Sequence, residues 1–248
     1  MSGLLLRLAG PLQSWGERSA FDVRDTASIP TRSGLIGMIA SAMGLPRGTS
    51  LHALTPLTFT IRVDRPGVRI VDYHTVGGGL PDDRKVPTAD GKGRPAGKGT
   101  MQTWREYLAD AVFVVAVSGP AKLIGAAGAA LVAPRWQPYL GRRSCPPSEP
   151  FLLARNIDDP LGELENRVPL AREYWGEGDV VEVDFAYESG HEEAIRSEMR
   201  DVPMRFTAID RVYRTRPVWI KTRSMPGALA VPAARYHARL ARYLDEVR

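Results

Sequence analysis

The sequence holds one cysteine, Cys145, in 248 residues. A single thiol closes no internal disulfide and fits a reducing, cytoplasmic setting. Histidine is also scarce. His52, His74, His191 and His237 are scattered, with no zinc-ligand spacing. No metal and no other cofactor is expected. No apolar run reaches the roughly 18 residues that cross a bilayer. The apolar start LLLRLAG is interrupted by Arg7 and follows no basic segment, so neither a signal peptide nor a membrane partner is expected. A phosphate-cradling P-loop is missing too. Gly97-Lys98 is followed by Gly99, and Lys92 stands where the first glycine belongs. Gly77-Gly78-Gly79 opens no helix, which removes a dinucleotide fingerprint.

What is present is positive charge, unevenly spread. Residues 149–193 carry thirteen Asp/Glu against Arg155, Arg167 and Arg172, a local −10 that leaves +15 for the rest and +5 overall. Segregation of this kind suits a basic surface for nucleic acid and a separate acidic one. The plainer reading is a set of solvated faces.

The pattern of apolar residues predicts a first strand at LLLRLAG (4–10), stopped by Gly10-Pro11. Thr31 or Ser33 caps a helix whose Leu35, Met38, Ile39 and Ala42 share one face. Its small residues call for a very close neighbour. Residues 57–77 read as a hairpin turning at Arg65-Pro66-Gly67. Extended chain returns at 101–119, with AVFVVAV fully buried, and a small-residue helix follows at 121–134. This order matches an α+β, ferredoxin-like domain over residues 1–147. From its central hairpin departs a basic excursion that includes DRKVPTADGKGRPAGKGT (83–100). Residues 148–248 read as a smaller, mainly β part, with a strand at 180–187, one or two more in 202–223, and a closing helix.

Three basic groups stand out. Arg84, Lys85, Lys92, Arg94, Lys98 and Arg105 lie in or beside the excursion, with Trp104 and Tyr107 at its return. Tyr139, Arg142 and Arg143 form the second. Arg205, Arg211, Arg214, Arg216, Lys221 and Arg223 form the third, opposed only by Asp210. Cations beside aromatic rings suit single-stranded RNA, because charges hold phosphates while rings stack on bases. Core packing of Trp104, and a solvated strand for the third group, remain open. Tyr73-His74 near many cations allows metal-free RNA cleavage. The alternative is a histidine that only hydrogen-bonds a backbone group or a phosphate.

Four motifs carry a family resemblance: LLLRLAGPLQSWG, FDVRDTASIPTRSGLIGMIASAMG, DYHTVGGG and YLGRRSCPPS. In this order, over about residues 3–147, they resemble the CasD subunits of the type I-E CRISPR Cascade complex, in the RAMP superfamily. The resemblance implies a ferredoxin-like, RNA-recognition-like fold with a protruding β-hairpin thumb, here at about 75–105. It implies a non-catalytic subunit that caps the 5′ handle of the CRISPR RNA in antiviral defence. Its implied partners are that RNA, the backbone subunit CasC, the large subunit CasA and, indirectly, target DNA. A type I-C relative cleaves repeat RNA itself, which keeps the endoribonuclease alternative alive. The expected RNA-binding residues are Gln13, Ser14, Trp15, Arg18, Arg24, Thr31, Arg32, Ser33, Gly34, His74, Lys85, Lys92, Arg94, Lys98, Arg105, Tyr139, Arg142 and Arg143. Residues 30–34 also open a helix, whose free N–H groups suit a phosphate.

Overall fold

The computed structural model describes residues 2–18, 22–77, 81, 88, 92, 100–172, 179–206 and 211–247. Strand β1 (Ser2–Ala9) alternates between two buried faces. Leu4, Leu6 and Leu8 enter one apolar cluster, and Leu5 enters another. A strand buried on both sides needs a layer on each face of its sheet. The first layer is helix α1 (Arg32–Ala42) with α2 (Ala121–Val132). The second is α3 (Pro160–Asn166) with α4 (Ala233–Val247). Strand β7 (Val112–Gly119) is the central case. Its Phe113, Val115 and Val117 face α1 and α2, while Val114 and Ala116 face α3 and α4.

Strands β4 (Thr58–Arg65), β7, β1 and β8 (Leu152–Ile157) stand in that order, all antiparallel to their neighbours. With α1 between β1 and β4, and α2 between β7 and β8, this is the ferredoxin-like arrangement. Strands β9 (Val180–Tyr187), β11 (Arg211–Pro226) and β10 (Ile195–Phe206) extend the same sheet beyond β4. The division expected at residue 147 therefore falls ahead of β8, inside a continuous seven-stranded sheet.

The hairpin expected over 57–77 does not form. β4 already has β7 on one edge and β9 on the other, so it has no edge for a third strand. The turn at Gly67 (φ +74°) instead hands the chain to a second sheet. There β5 (Val68–Val76) pairs along its whole length with β6 (Met101–Ala109). The opposite edge of β6 carries two short strands, β2 (Leu12–Gln13) and β3 (Val23–Arg24).

Four charged groups join the β9–β11 extension to the start of α1. Asp201 is fully buried and holds the Arg216 guanidinium at 2.7 and 2.9 Å. The same carboxylate accepts the Arg32 N–H at 2.6 Å. Glu188 accepts from Arg32 Nη1 at 2.6 Å and from the Phe59 N–H at 3.1 Å, and lies 3.4 Å from Arg216. The expected phosphate seat at the helix start is thus filled by a carboxylate of the chain itself. Thr31 caps the helix as expected, its hydroxyl accepting from the Gly34 N–H at 3.2 Å.

The charge segregation seen in sequence also dissolves here. Because β9 and β11 are neighbours, Lys221 pairs with Glu193 and Thr222 with Asp184, and Arg223 reaches Glu165. Asp210, the one acid expected among the third basic group, lies outside the described residues.

Removing one member of a buried ion network strands its partners without solvent. Arg216→Met should lower the urea-unfolding free energy by about 3–5 kcal/mol. Lys221→Ala, at an exposed pair, should cost less than about 1 kcal/mol. Equal losses would remove the special standing of the buried group.

Burial pushes the Glu188 carboxyl above its ordinary value of 4.5, despite Arg32 and Arg216. The folded state then binds this proton more tightly than the unfolded chain. Its contribution is complete below the unfolded pKa and is lost as pH rises through the folded one. Stability relative to Glu188→Gln should fall as pH rises above the ordinary carboxyl value of 4.5, read by equilibrium unfolding. A difference that rises with pH would contradict this.

Candidate nucleic-acid interface

Three of the four sequence motifs converge on the base of the β5/β6 hairpin, while the motif that starts at Asp72 lies farther along β5. Gln13 is buried and donates to the Leu8 and Ala111 carbonyls at 2.9 and 2.8 Å. Its own carbonyl accepts from the Trp15 indole at 3.1 Å. Ser14 donates to the Glu106 carbonyl at 2.9 Å. The Trp15 ring, fully buried, lies so close to Gly34 that a Cβ there would sit 2.8 Å from it. This is the close neighbour that the small residues of α1 required. The 139–145 loop closes over the same spot. The Ser14 N–H donates to the Leu140 carbonyl at 3.1 Å. A Cβ on Gly141 (φ +82°) would sit 1.7 Å from the Ser14 carbonyl oxygen, so only glycine fits. Thr26 accepts from the Trp15 N–H at 2.8 Å and completes the knot.

Gln13, Ser14 and Trp15 were expected to meet RNA directly. Their side chains are instead spent inside the protein, where they hold the loops in place. The same holds for Thr31 and Arg32, and Gly34 gives its backbone N–H to Thr31. Arg32 is 8% exposed, with its guanidinium on Glu188 and on the Thr55 carbonyl at 2.8 Å. Ser33 is half-buried and donates to Thr31 at 3.3 Å.

Other residues form a surface above this knot. Arg142 lays its guanidinium 4.7 Å from the centre of the Tyr107 ring and donates to the Arg24 carbonyl at 2.9 Å. Its Nη1 is buried and has no partner. Arg24 and Tyr139 are half-buried, and Arg143 is exposed. The Arg18 side chain is 76% exposed. Residues directly opposite in the β5/β6 register share a face. Asp72 and Arg105, His74 and Thr103, and Ile70 and Tyr107 therefore lie on one side. Arg105 donates to the Thr103 hydroxyl at 3.0 Å, and His74 Nδ1 lies 3.5 Å from Asp72.

Tyr73 and Trp104 are on the opposite side of the hairpin, their ring centres 5.5 Å apart. Both are substantially exposed, as are Val71 and Val23 nearby, so Trp104 is not a core residue. Alternation along β5 thus separates Tyr73 from His74, and the two cannot act on one phosphate as a joined acid–base pair. Lys92 is exposed, and its carbonyl accepts from the Thr88 N–H at 2.8 Å. Lys85, Arg94 and Lys98 lie outside the described residues.

Sequence reading missed Asp201, Glu188 and Arg216 as partners, because their contacts span up to 169 residues of separation. It also missed the apolar character of the outer hairpin face. The signal was available in Val71 and Tyr73, which alternate with polar neighbours. Among the described residues no cluster of His, Cys, Asp and Glu could hold a metal ion. No helix among them is long and apolar enough to cross a membrane.

Comparison with known proteins identifies the family. Residues 3–219 match the family described as CRISPR-associated protein (Cas_Cas5). The chain is 36% identical over 220 residues to the CRISPR system Cascade subunit CasD of Escherichia coli (strain K12), covering 82% of this chain and 89% of that one. A chain of a solved CRISPR RNA-guided surveillance complex superposes with a TM-score of 0.87 at 48% identity, over 98% of this chain and 99% of that chain. A crystal structure of a Cas protein superposes with a TM-score of 0.62 at 30% identity, over 92% and 97% of the two chains. The family match spans most of the described fold, from β1 into β11, and the chain belongs to the Cas5 family of CRISPR-associated proteins.

Proposed function

We infer that this chain is a non-catalytic, CasD-type subunit of a Cascade surveillance complex and holds the 5′ handle of the CRISPR RNA. The observation that carries the reading is the surface over the motif knot, where half-buried Arg142 lies on Tyr107 beside exposed Arg143 and Arg18. A half-buried guanidinium fixed on an aromatic ring, with further cations around it, suits a phosphate or an unpaired base. Arg18, Arg24, Arg105, Arg143 and His74 widen this surface, with Tyr139 at its margin. Lys85, Lys92, Arg94 and Lys98, the cations of the 83–100 stretch, add further RNA contacts in this reading.

In this reading the β5/β6 hairpin is the thumb. Its Tyr73, Trp104 and Val71 face supplies apolar area for a neighbouring protein, for which the backbone subunit CasC is the candidate. The large subunit CasA docks nearby, and target DNA is met only through the assembled complex. The complex works in the cytoplasm.

Binding of the repeat-derived RNA handle should fall with salt, with a log–log slope of about −0.7 per phosphate contact. Replacing Arg24, Arg105 and Arg143 together by alanine should flatten that slope by about 2, measured by fluorescence anisotropy. An unchanged slope would move the RNA elsewhere. A labelled repeat hairpin incubated with the protein and EDTA should stay intact. Site-specific cleavage that disappears in His74→Ala would replace this reading with the endoribonuclease.

A further inference from the structure

A second basic site lies on the other face of the main sheet. Arg7 belongs to β1 but points away from α1 and α2, toward α4. It is 5% exposed. Its Nη1 reaches only the carbonyls of Ser148, Glu149 and Pro150, each at 3.5 Å, and its Nε is buried without a partner. Its guanidinium lies 5.4 Å from the Tyr236 ring. The Tyr236 hydroxyl is also buried, beside Arg7. No carboxylate among the described residues pairs with Arg7. A buried guanidinium without a counter-ion is costly, and proteins pair such groups or bind an anion to them.

Arg7 and Tyr236 line a pocket of about 460 Å³ with Arg65, Arg172 and His237. Arg65 spends Nη1 on exposed Asp110 at 2.9 Å and keeps a buried, unpartnered Nε. Arg172 donates to the Glu182 carbonyl at 2.8 Å. Ala233, the first residue of α4, also lines the pocket and brings the positive end of that helix. The acid beneath it, Asp64, is already occupied by Arg62 and the Ala171 N–H.

We propose that this pocket binds a phosphate group, held by Arg7, Arg65 and Arg172. Three guanidinium groups exceed what one carboxylate would neutralise. A phosphate offers more charge and more acceptor oxygens for donors that converge from several directions. The site stands apart from the Arg142 surface, whose supporting residues Trp15, Tyr107 and Leu140 belong to the cluster on the α1 side of the sheet. It does not rest on the RNA-handle reading.

The test is a phosphorus NMR titration of the full chain. One arm uses inorganic phosphate, and the other uses a two-nucleotide RNA carrying a single phosphodiester. Saturable binding of at least one probe is expected. It should weaken at least tenfold in Arg7→Gln and in Arg172→Ala, and be unchanged in Lys122→Ala, an exposed cation of α2. Binding of both probes makes this a site for free and esterified phosphate. Binding of the dinucleotide alone restricts it to an RNA phosphodiester. Arg172 is exposed, so its variant reads the site even where Arg7→Gln fails to fold. No saturable binding of either probe overturns the proposal. So does binding indifferent to Arg172→Ala, or saturation by a glutamate-rich peptide alone.

Discussion

Asp201 sits where three parts of the chain meet. It comes from β10, grips Arg216 of β11, and accepts the first N–H of α1. The long β10/β11 hairpin could otherwise swing, because β9 supports β11 only from Trp219 onward. The carboxylate fastens the remainder to the helix layer, and Met199 and Val218 then fill the same apolar cluster as α1. Glu188 repeats the arrangement from the end of β9, through Arg32 and the backbone of β4. Two acids and two arginines balance in charge, so the cluster can stay dry. Within it, Asp201 holds the helix start in the way an external anion would.

A second buried pair does similar work on the opposite face. Arg62 uses all five of its N–H donors on Asp64 and on the carbonyls of Leu164, Val168 and Pro169. Asp64 in turn accepts the Ala171 N–H. Irregular chain after α3 is thereby pinned to the middle strand β4. The contrast with Arg7 is chemical. Arg62 is saturated by the protein, while Arg7 is also buried and is not.

Much of the fold was legible because it rests on local pattern. AVFVVAV could only be a strand buried on both sides. Leu35, Met38, Ile39 and Ala42 predicted the face of α1, and Tyr236, Leu240 and Tyr243 define the buried stripe of α4. The partner of β5 was not legible. Strand pairing depends on which edges are already taken, and no local property of residues 57–77 reveals that β9 claims β4. Motif residues misled in a related way. Gln13, Ser14, Trp15 and Arg32 mark the site correctly as a place, yet their side chains build it from below. Polar type alone does not distinguish a residue that touches a ligand from one that positions the residue that does. The distinction emerged only with burial and hydrogen-bond partners. Arg142 carried no such conflict, since a loop arginine beside an aromatic ring is half committed and half available.

The corner between β6 and β7 has a mechanical meaning. Only Asp110 and Ala111 separate the hairpin stem from the most deeply buried strand of the protein. Asp110 takes a left-handed conformation (φ 56°), and Gln13 clamps the Ala111 carbonyl at 2.8 Å. The stem is thus a cantilever with a single built-in root. A load applied near the tip reaches that root along β6, past the points where β3 and β2 brace its free edge. The bending moment then falls on the short strand that carries Arg24 and, through its hydrogen bond, on Arg142.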